Sequence, residues 1–306
     1  MNGCDIPRDA APNAPYISPM TANAHRKSDR DDFTIDQNWS DYTADEHAVW
    51  DLLYQRQMTL LANMADEAML RGHEALDLGR GGIPNFNVIN VELKKLTGWT
   101  VVAVPSLVPD DIFFTHLANR RFPAGAFIRT REQLDYIQEP DIFHDVFGHV
   151  PLLTNPVFAD YMEAYGKGGL RAIKFGRLKN LAALYWYTVE FGLIETPKGL
   201  RIYGAGISSS ADESKFALKD PSPNRIRFDL ERVMRTDYRI DDFQETYFVI
   251  RSYDDLFRAT VDTDFAPLYA RLADNVKYAP GTVLPSDTLI HRGTGDYARS
   301  QAKSGA

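Results

Sequence analysis

Cysteine is almost missing from this 306-residue chain: Cys4 stands alone, in a Pro- and Ala-containing start. One thiol forms no internal disulfide, and it excludes any multi-cysteine zinc or iron–sulfur site; an incidental cysteine in a tail is the simplest account of it. Blocks of Lys and Arg are also missing. The net charge is −8, with a pI near 5.4, which argues against a general nucleic-acid binder. No stretch approaches the length of a membrane span, and the start MNGCDIPRDAAPNAP has no apolar signal-peptide core. No internal repeat is found. No strand–GxGxxG–helix unit occurs, and the Gly166-Lys-Gly-Gly169 run lacks P-loop spacing. A soluble protein of a reducing cytoplasm is expected, with neither nucleic acid nor membrane as partner.

What is present is an ordinary globular balance, 44% hydrophobic and 25% charged. Residues 1–33 are polar and aperiodic, which predicts a disordered tail. The segment 286–306 is similarly polar and Gly-containing, leaving 34–285 as the folded domain. Thr43-Ala-Asp-Glu46 fits a capping box, and the apolar spacing behind it predicts one helix to about Arg71. Ile89, Leu93 and Leu96 mark a second helix stopped by Gly98. Further helices are predicted near 141–148, 155–165, 177–193, 228–235 and 253–273. Short strands are predicted at 101–104, 126–130, 200–203 and 246–251. Strands so few and scattered exclude a doubly wound sheet. The fold class expected is mainly α with minor β, in a single domain.

Of seven histidines only His144 and His149 lie close together, in Phe143-His-Asp-Val-Phe-Gly-His-Val-Pro-Leu-Leu153. Five positions on a regular helix turn through about 140°, so the pair would not share a face. Gly148 and Pro151 suggest that the helix ends between them, and a turn there would let both imidazoles meet. Such a pair can equally cap a helix or sit satisfied in a core. Apolar neighbours on both sides resemble the dry shell of metal-binding histidines. Glu190 is the only charge among the thirteen residues Leu181–Leu193. A helix apolar all round is buried, and a buried carboxylate needs a cation. The cation is an Arg or Lys from elsewhere, or a metal held by the two histidines. Two imidazoles and one carboxylate form the facial triad of non-haem iron(II) oxygenases, with half the coordination sphere open. No His here has a carboxylate two residues on, as oxoglutarate-dependent enzymes usually do, and His-Glu-x-x-His is absent.

Three segments carry a resemblance: Tyr136-Ile-Gln-Glu-Pro-Asp-Ile-Phe-His-Asp-Val-Phe-Gly-His-Val-Pro-Leu152, Leu184-Tyr-Trp-Tyr-Thr-Val-Glu-Phe-Gly-Leu193 and Tyr203-Gly-Ala-Gly-Ile-Ser-Ser-Ser210. Together they resemble the aromatic amino acid hydroxylases, most of all the short bacterial enzymes acting on phenylalanine, over about residues 42–272. The resemblance implies a catalytic domain of that type, an unregulated monomer that converts L-phenylalanine to L-tyrosine with O2, tetrahydrobiopterin or another tetrahydropterin, and mononuclear Fe(II). Tyrosine or tryptophan hydroxylation, a non-catalytic metal- or pterin-binding protein, and a zinc hydrolase are the alternatives. It implies His144, His149 and Glu190 as iron ligands and catalytic centre. It implies Arg129, Trp186 and Ser209 for the substrate: a grip on the carboxylate, a wall against the ring, and a contact to the amino acid head. For the pterin it implies Phe113 as the stacking ring, with Leu107, Val108, Ala182 and Asp145 around it. Asp145 stands where animal enzymes carry Glu, and Ile137-Gln138 replaces a Thr-Pro pair.

Overall fold

The computed structural model describes residues 27–135, 137 and 139–304. Cys4, most of the expected N-terminal tail and Gln138 lie outside them. Residues 27–33 do not behave as a free tail: the Asp32 carbonyl accepts from His116 Nε2 at 2.8 Å, and its carboxylate pairs with Arg121 at 3.1 Å.

In chain order the first elements are α1 (Ala44–Leu61), α2 (Glu67–Ala75), α3 (Phe86–Thr97), β1 (Thr100–Val104), α4 (Asp110–Ala118) and β2 (Arg121–Gly125). The expected capping box at Thr43 and Glu46 starts α1. The single helix expected to Arg71 is two helices. Between them the backbone pairs with a later strand, Ile202 N–H donating to the Met64 carbonyl and Asp66 N–H to the Ile202 carbonyl, both at 2.8 Å. Asp66 then caps α2. Gly98 ends α3 at φ +79°, a conformation that glycine adopts without strain. β1 and β2 pair in parallel. The strand expected at 126–130 is displaced to 121–125. Residues 126–130 form no strand but bond to the neighbourhood of the site, Arg129 N–H donating to Asp141 and the Phe127 carbonyl accepting from Ile142 N–H.

The chain continues through a π-helical turn (Phe143–His149), a 3-10 turn (Val150–Thr154), α5 (Pro156–Lys174), α6 (Leu178–Tyr185) and a second π-helical turn (Trp186–Glu190). It then forms β3 (Leu193–Thr196), β4 (Gly199–Ile202), α7 (Ala205–Ser208), α8 (Ala211–Lys219), β5 (Asn224–Arg227), α9 (Leu230–Met234), β6 (Thr246–Ile250), α10 (Tyr253–Val261) and α11 (Phe265–Arg271). The expected helix 253–273 is split where Asp264 caps α11. Last come β7 (Leu289–His291) and α12 (Asp296–Ser304), in the segment read as a polar tail. Polar it is, yet β7 adds antiparallel to β5, and Tyr297 of α12 donates to Asp242 at 2.6 Å.

The mixed sheet has the order β4-β3-β6-β5-β7. β6 is the central strand and is buried at all five positions, so both faces of the sheet are covered there. The fold is therefore mainly helical with a smaller sheet component, as expected. No described helix is long and apolar enough to cross a membrane.

Candidate active site

Both π turns present site residues. In the first, i→i+5 hydrogen bonding places residues five apart nearly over one another. His144 and His149 therefore share a face without any break in the helix. The expected ending between them does not occur; the helix widens instead. An aromatic bed supports the widened turn: Phe143 stacks on Phe147 at 4.7 Å, and Trp50 meets Phe143 edge-on at 5.4 Å. The second turn closes with Phe191 N–H donating to the Trp186 carbonyl at 2.8 Å, and it carries Glu190. Residues 204–206 pack against both turns. A Cβ on Gly148 would lie 2.9 Å from Ala205 Cβ, and one on Gly204 would lie 2.3 Å from the Glu190 carbonyl. Only glycine permits these two approaches.

The three side chains converge. His144 Nε2 lies 3.3 Å from His149 Nε2 and 3.5 Å from Glu190 Oε2; His149 Nε2 lies 3.2 Å from Glu190 Oε1. They form the metal-capable group among the described residues. Donor atoms so spaced leave a point about 2 Å from each, the distance at which first-row divalent ions bind imidazole and carboxylate. Two neutral imidazoles and one carboxylate suit Fe(II), so the residues fit that ion.

The tautomer of His144 follows from its neighbour. Ser209 Oγ donates to the Ala205 carbonyl at 2.8 Å and lies 2.9 Å from His144 Nδ1. With its hydrogen committed, Ser209 accepts from Nδ1–H, which leaves the Nε2 lone pair facing the other ligands. Burial lowers the His144 pKa to about 4, which keeps the ring neutral. For His149 burial also opposes charge, but the facing Glu190 outweighs it and the pKa is raised. Burial pushes Glu190 up, yet His149, His144 and the Gly206 N–H bring it below the ordinary carboxylate value. A bound cation would take the place of the His149 proton.

Arg129 is buried and held bidentately by Asp141, Nε and Nη2 donating at 2.9 and 2.8 Å. Asp141 also accepts from the backbone N–H of Arg129 and of His144. Burial would raise its pKa, but the Arg129 guanidinium more than offsets that and holds it below the usual range. One fully buried carboxylate thus fixes both the arginine and the start of the ligand turn, with Nη1 left to reach a ligand. Sequence reasoning passed over Asp141 as a site residue. Its signal was an acid three residues before the first histidine of the pair, followed by the apolar Ile142 and Phe143.

The pterin candidates come from α4 and the loop before it, from α6, and from the first π turn. Leu107 and Val108 lie in the loop entering α4, Leu107 exposed and Val108 half-buried. Phe113 is half-buried on α4 and meets Tyr185 edge-on at 5.9 Å; Tyr185 in turn lies against His149 at 6.1 Å. Ala182 is one turn before Tyr185 on α6. This aromatic line joins the candidate stacking ring to a candidate metal ligand, and Tyr185 is a second residue that sequence reasoning missed. Asp145 accepts from Gly125 N–H at 2.7 Å, and burial lifts its pKa to about 7. Trp186 shares its π turn with Glu190 and stacks on Tyr238, with centroids 4.5 Å apart at 17°.

Residues 33–282 match the profile of the biopterin-dependent aromatic amino acid hydroxylases. The chain belongs to that family. Among its curated relatives, the phenylalanine-4-hydroxylase of Caulobacter vibrioides is 65% identical over 269 residues, covering 88% of this chain and 91% of the relative. That of Chromobacterium violaceum is 56% identical over 271 residues, 89% and 91% of the two chains. Its crystal structure with bound oxidised Fe(III) matches with a TM-score of 0.85 at 56% identity, covering 88% of this chain and 97% of the other. The iron- and phenylalanine-bound structure matches with 0.83 at 54% identity over the same shares.

Proposed function

We infer that this protein is a phenylalanine 4-monooxygenase, converting L-phenylalanine to L-tyrosine with O2 and a tetrahydropterin at one non-haem iron. The convergence of His144, His149 and Glu190 on a single point carries the reading, since three protein donors leave half of an octahedral sphere open. The identities of 65% and 56% to phenylalanine-4-hydroxylases support the substrate. When bound, the iron and the tetrahydropterin supply oxygen activation and the electrons for it.

The chain's own residues bind and orient. Arg129, braced by Asp141, offers its remaining N–H groups to the substrate carboxylate, which suits a guanidinium that stays charged when buried. Trp186 walls the substrate ring. Phe113 stacks on the pterin, with Leu107, Val108, Ala182 and Asp145 beside it. Ser209 keeps Nε2 of His144 available to the metal, and this bond is the observation behind its role. Holding ring, pterin and iron in register is worth about 7–11 kcal/mol of barrier in well-oriented systems. We further propose a cytoplasmic monomer: the single cysteine agrees with a reducing compartment, and sedimentation equilibrium tests the monomer.

The test is anaerobic reconstitution with Fe(II), followed by oxygen, tetrahydropterin and, in separate reactions, phenylalanine, tyrosine or tryptophan. Tyrosine formed from phenylalanine, faster than either alternative turns over, is expected. Oxygen uptake without tyrosine, or turnover that persists when oxygen is excluded, overturns the assignment. Glu190→Ala is expected to lose iron and activity together; an active variant would remove Glu190 from the ligand set.

A further inference from the structure

The indole of Trp186 is pinned at its polar edge. Its Nε1–H donates to Gln244 Oε1 at 2.8 Å, while Tyr238 and Phe191 cover the ring at 4.5 and 4.7 Å. Gln244 is only 2% exposed. Its side-chain NH2 donates to two carbonyls, of Arg239 at 2.9 Å and Asp242 at 3.2 Å. Carbonyls only accept, so the NH2 must face them and the oxygen must face the indole; the amide has one satisfied orientation. Behind it the Gln244 backbone N–H reaches Glu213 Oε1 at 3.4 Å, and Glu213 also accepts from the Tyr247 hydroxyl. One glutamine therefore ties the indole to the stretch Arg239–Asp242, next to the Tyr238 ring on which it stacks.

We propose that Gln244 is a positioning residue that sets the orientation of Trp186 and, through it, the width of the slot offered to the substrate ring. A ring flip of the indole would bury an unpaired N–H and strand the Gln244 oxygen, which costs more than either group costs in water. A locked indole fixes where that wall stands, and a six-membered ring is expected to be accepted better than the bicyclic side chain of tryptophan. This rests on Trp186 acting as the wall against the substrate.

The experiment compares Gln244→Met, Trp186→Phe, the double variant and Trp186→Ala in the iron-loaded enzyme. It reads KM and kcat for phenylalanine, the phenylalanine-to-tryptophan ratio of kcat/KM, and phenylalanine affinity by calorimetry without pterin. Gln244→Met is expected to raise KM about 3- to 10-fold, the size of one lost hydrogen bond, with kcat little changed and the preference for phenylalanine reduced. Trp186→Phe removes the donor together with part of the ring, so it is expected to raise KM at least as much, and the double variant to be no worse than Trp186→Phe alone, because the bond to Gln244 is already lost. Additive effects, or a Gln244→Met protein of lowered Tm but unchanged KM and ratio, overturn the proposal. Should Gln244→Met not fold, an unchanged KM in Trp186→Phe does the same. If Trp186→Ala leaves phenylalanine KM unchanged, the wall reading falls and takes the proposal with it. If Trp186→Ala raises KM and Gln244→Met does not, the role of Gln244 alone is refuted.

Discussion

Replacing Ser209 by Ala deletes one oxygen and separates two roles for that residue. Its hydroxyl donates to Ala205 and accepts from His144 Nδ1–H, at 2.8 and 2.9 Å. Without it the Nδ1–H is left unpaired, in a ring whose side chain is 18% exposed. A buried donor without a partner costs about 1–3 kcal/mol. The neutral imidazole escapes part of that cost by moving its proton to Nε2, the atom that faces Glu190 and His149. That tautomer offers no lone pair to a metal. Partners of metal-bound histidines typically contribute about 10–100-fold in affinity or activity, or about 1.4–2.8 kcal/mol. Fe(II) affinity of Ser209→Ala, measured anaerobically by competition with a ferrous chelator, is therefore expected to fall about 10–100-fold. KM for phenylalanine, measured at saturating iron, is expected to change little. The opposite pattern, intact iron affinity with a raised phenylalanine KM, would refute the tautomer argument and return Ser209 to the substrate's head group.

Asp141→Ala leaves the Arg129 guanidinium buried without its carboxylate, and a loss of about 3–5 kcal/mol in urea unfolding is expected; a loss below about 1 kcal/mol would show that Arg129 finds another partner. Arg129→Lys should raise phenylalanine KM with the tetrahydropterin KM unchanged, since an ammonium cannot serve Asp141 and a substrate carboxylate in fork geometry; equal shifts in both constants would contradict the clamp. Phe113→Leu should do the reverse, raising the tetrahydropterin KM alone, and steady-state kinetics with each component varied decides it. His73 is buried with neither ring nitrogen hydrogen-bonded, and burial lowers its pKa from 6.5 to about 3. Between those values the unfolded chain binds the extra proton, so stability falls as pH drops below about 6.5, by about 2 kcal/mol at pH 5. His73→Leu should flatten this acid limb, and an unchanged pH slope of Tm would exclude His73 as its source.

The candidate ligand residues were legible because each broke a local pattern. His144 and His149 stood alone as a close pair, and Glu190 was the one charge in an apolar helix. Composition and apolar spacing likewise announced a mainly helical domain, with the capping box at Thr43 and the stop at Gly98 readable from four residues or fewer. Hydrogen bonds between distant segments were not legible. The helix expected to Arg71 breaks because residues 64–66 pair with Ile202, and the polar segment after Ser286 folds because β5 offers it an edge. The two π turns are the sharpest case. The sequence reading ends the helix of 141–148 between the two histidines, because a regular α-helix would set them about 140° apart; the chain instead forms a π turn, packed against Ala205 and Trp50, that aligns them. The sequence by itself determined which side chains could hold a metal, since that depends on the chemistry of each residue. Whether they meet, which tautomer faces inward, and which glutamine steadies the indole were decided by tertiary structure, because each depends on contacts between residues far apart in the chain.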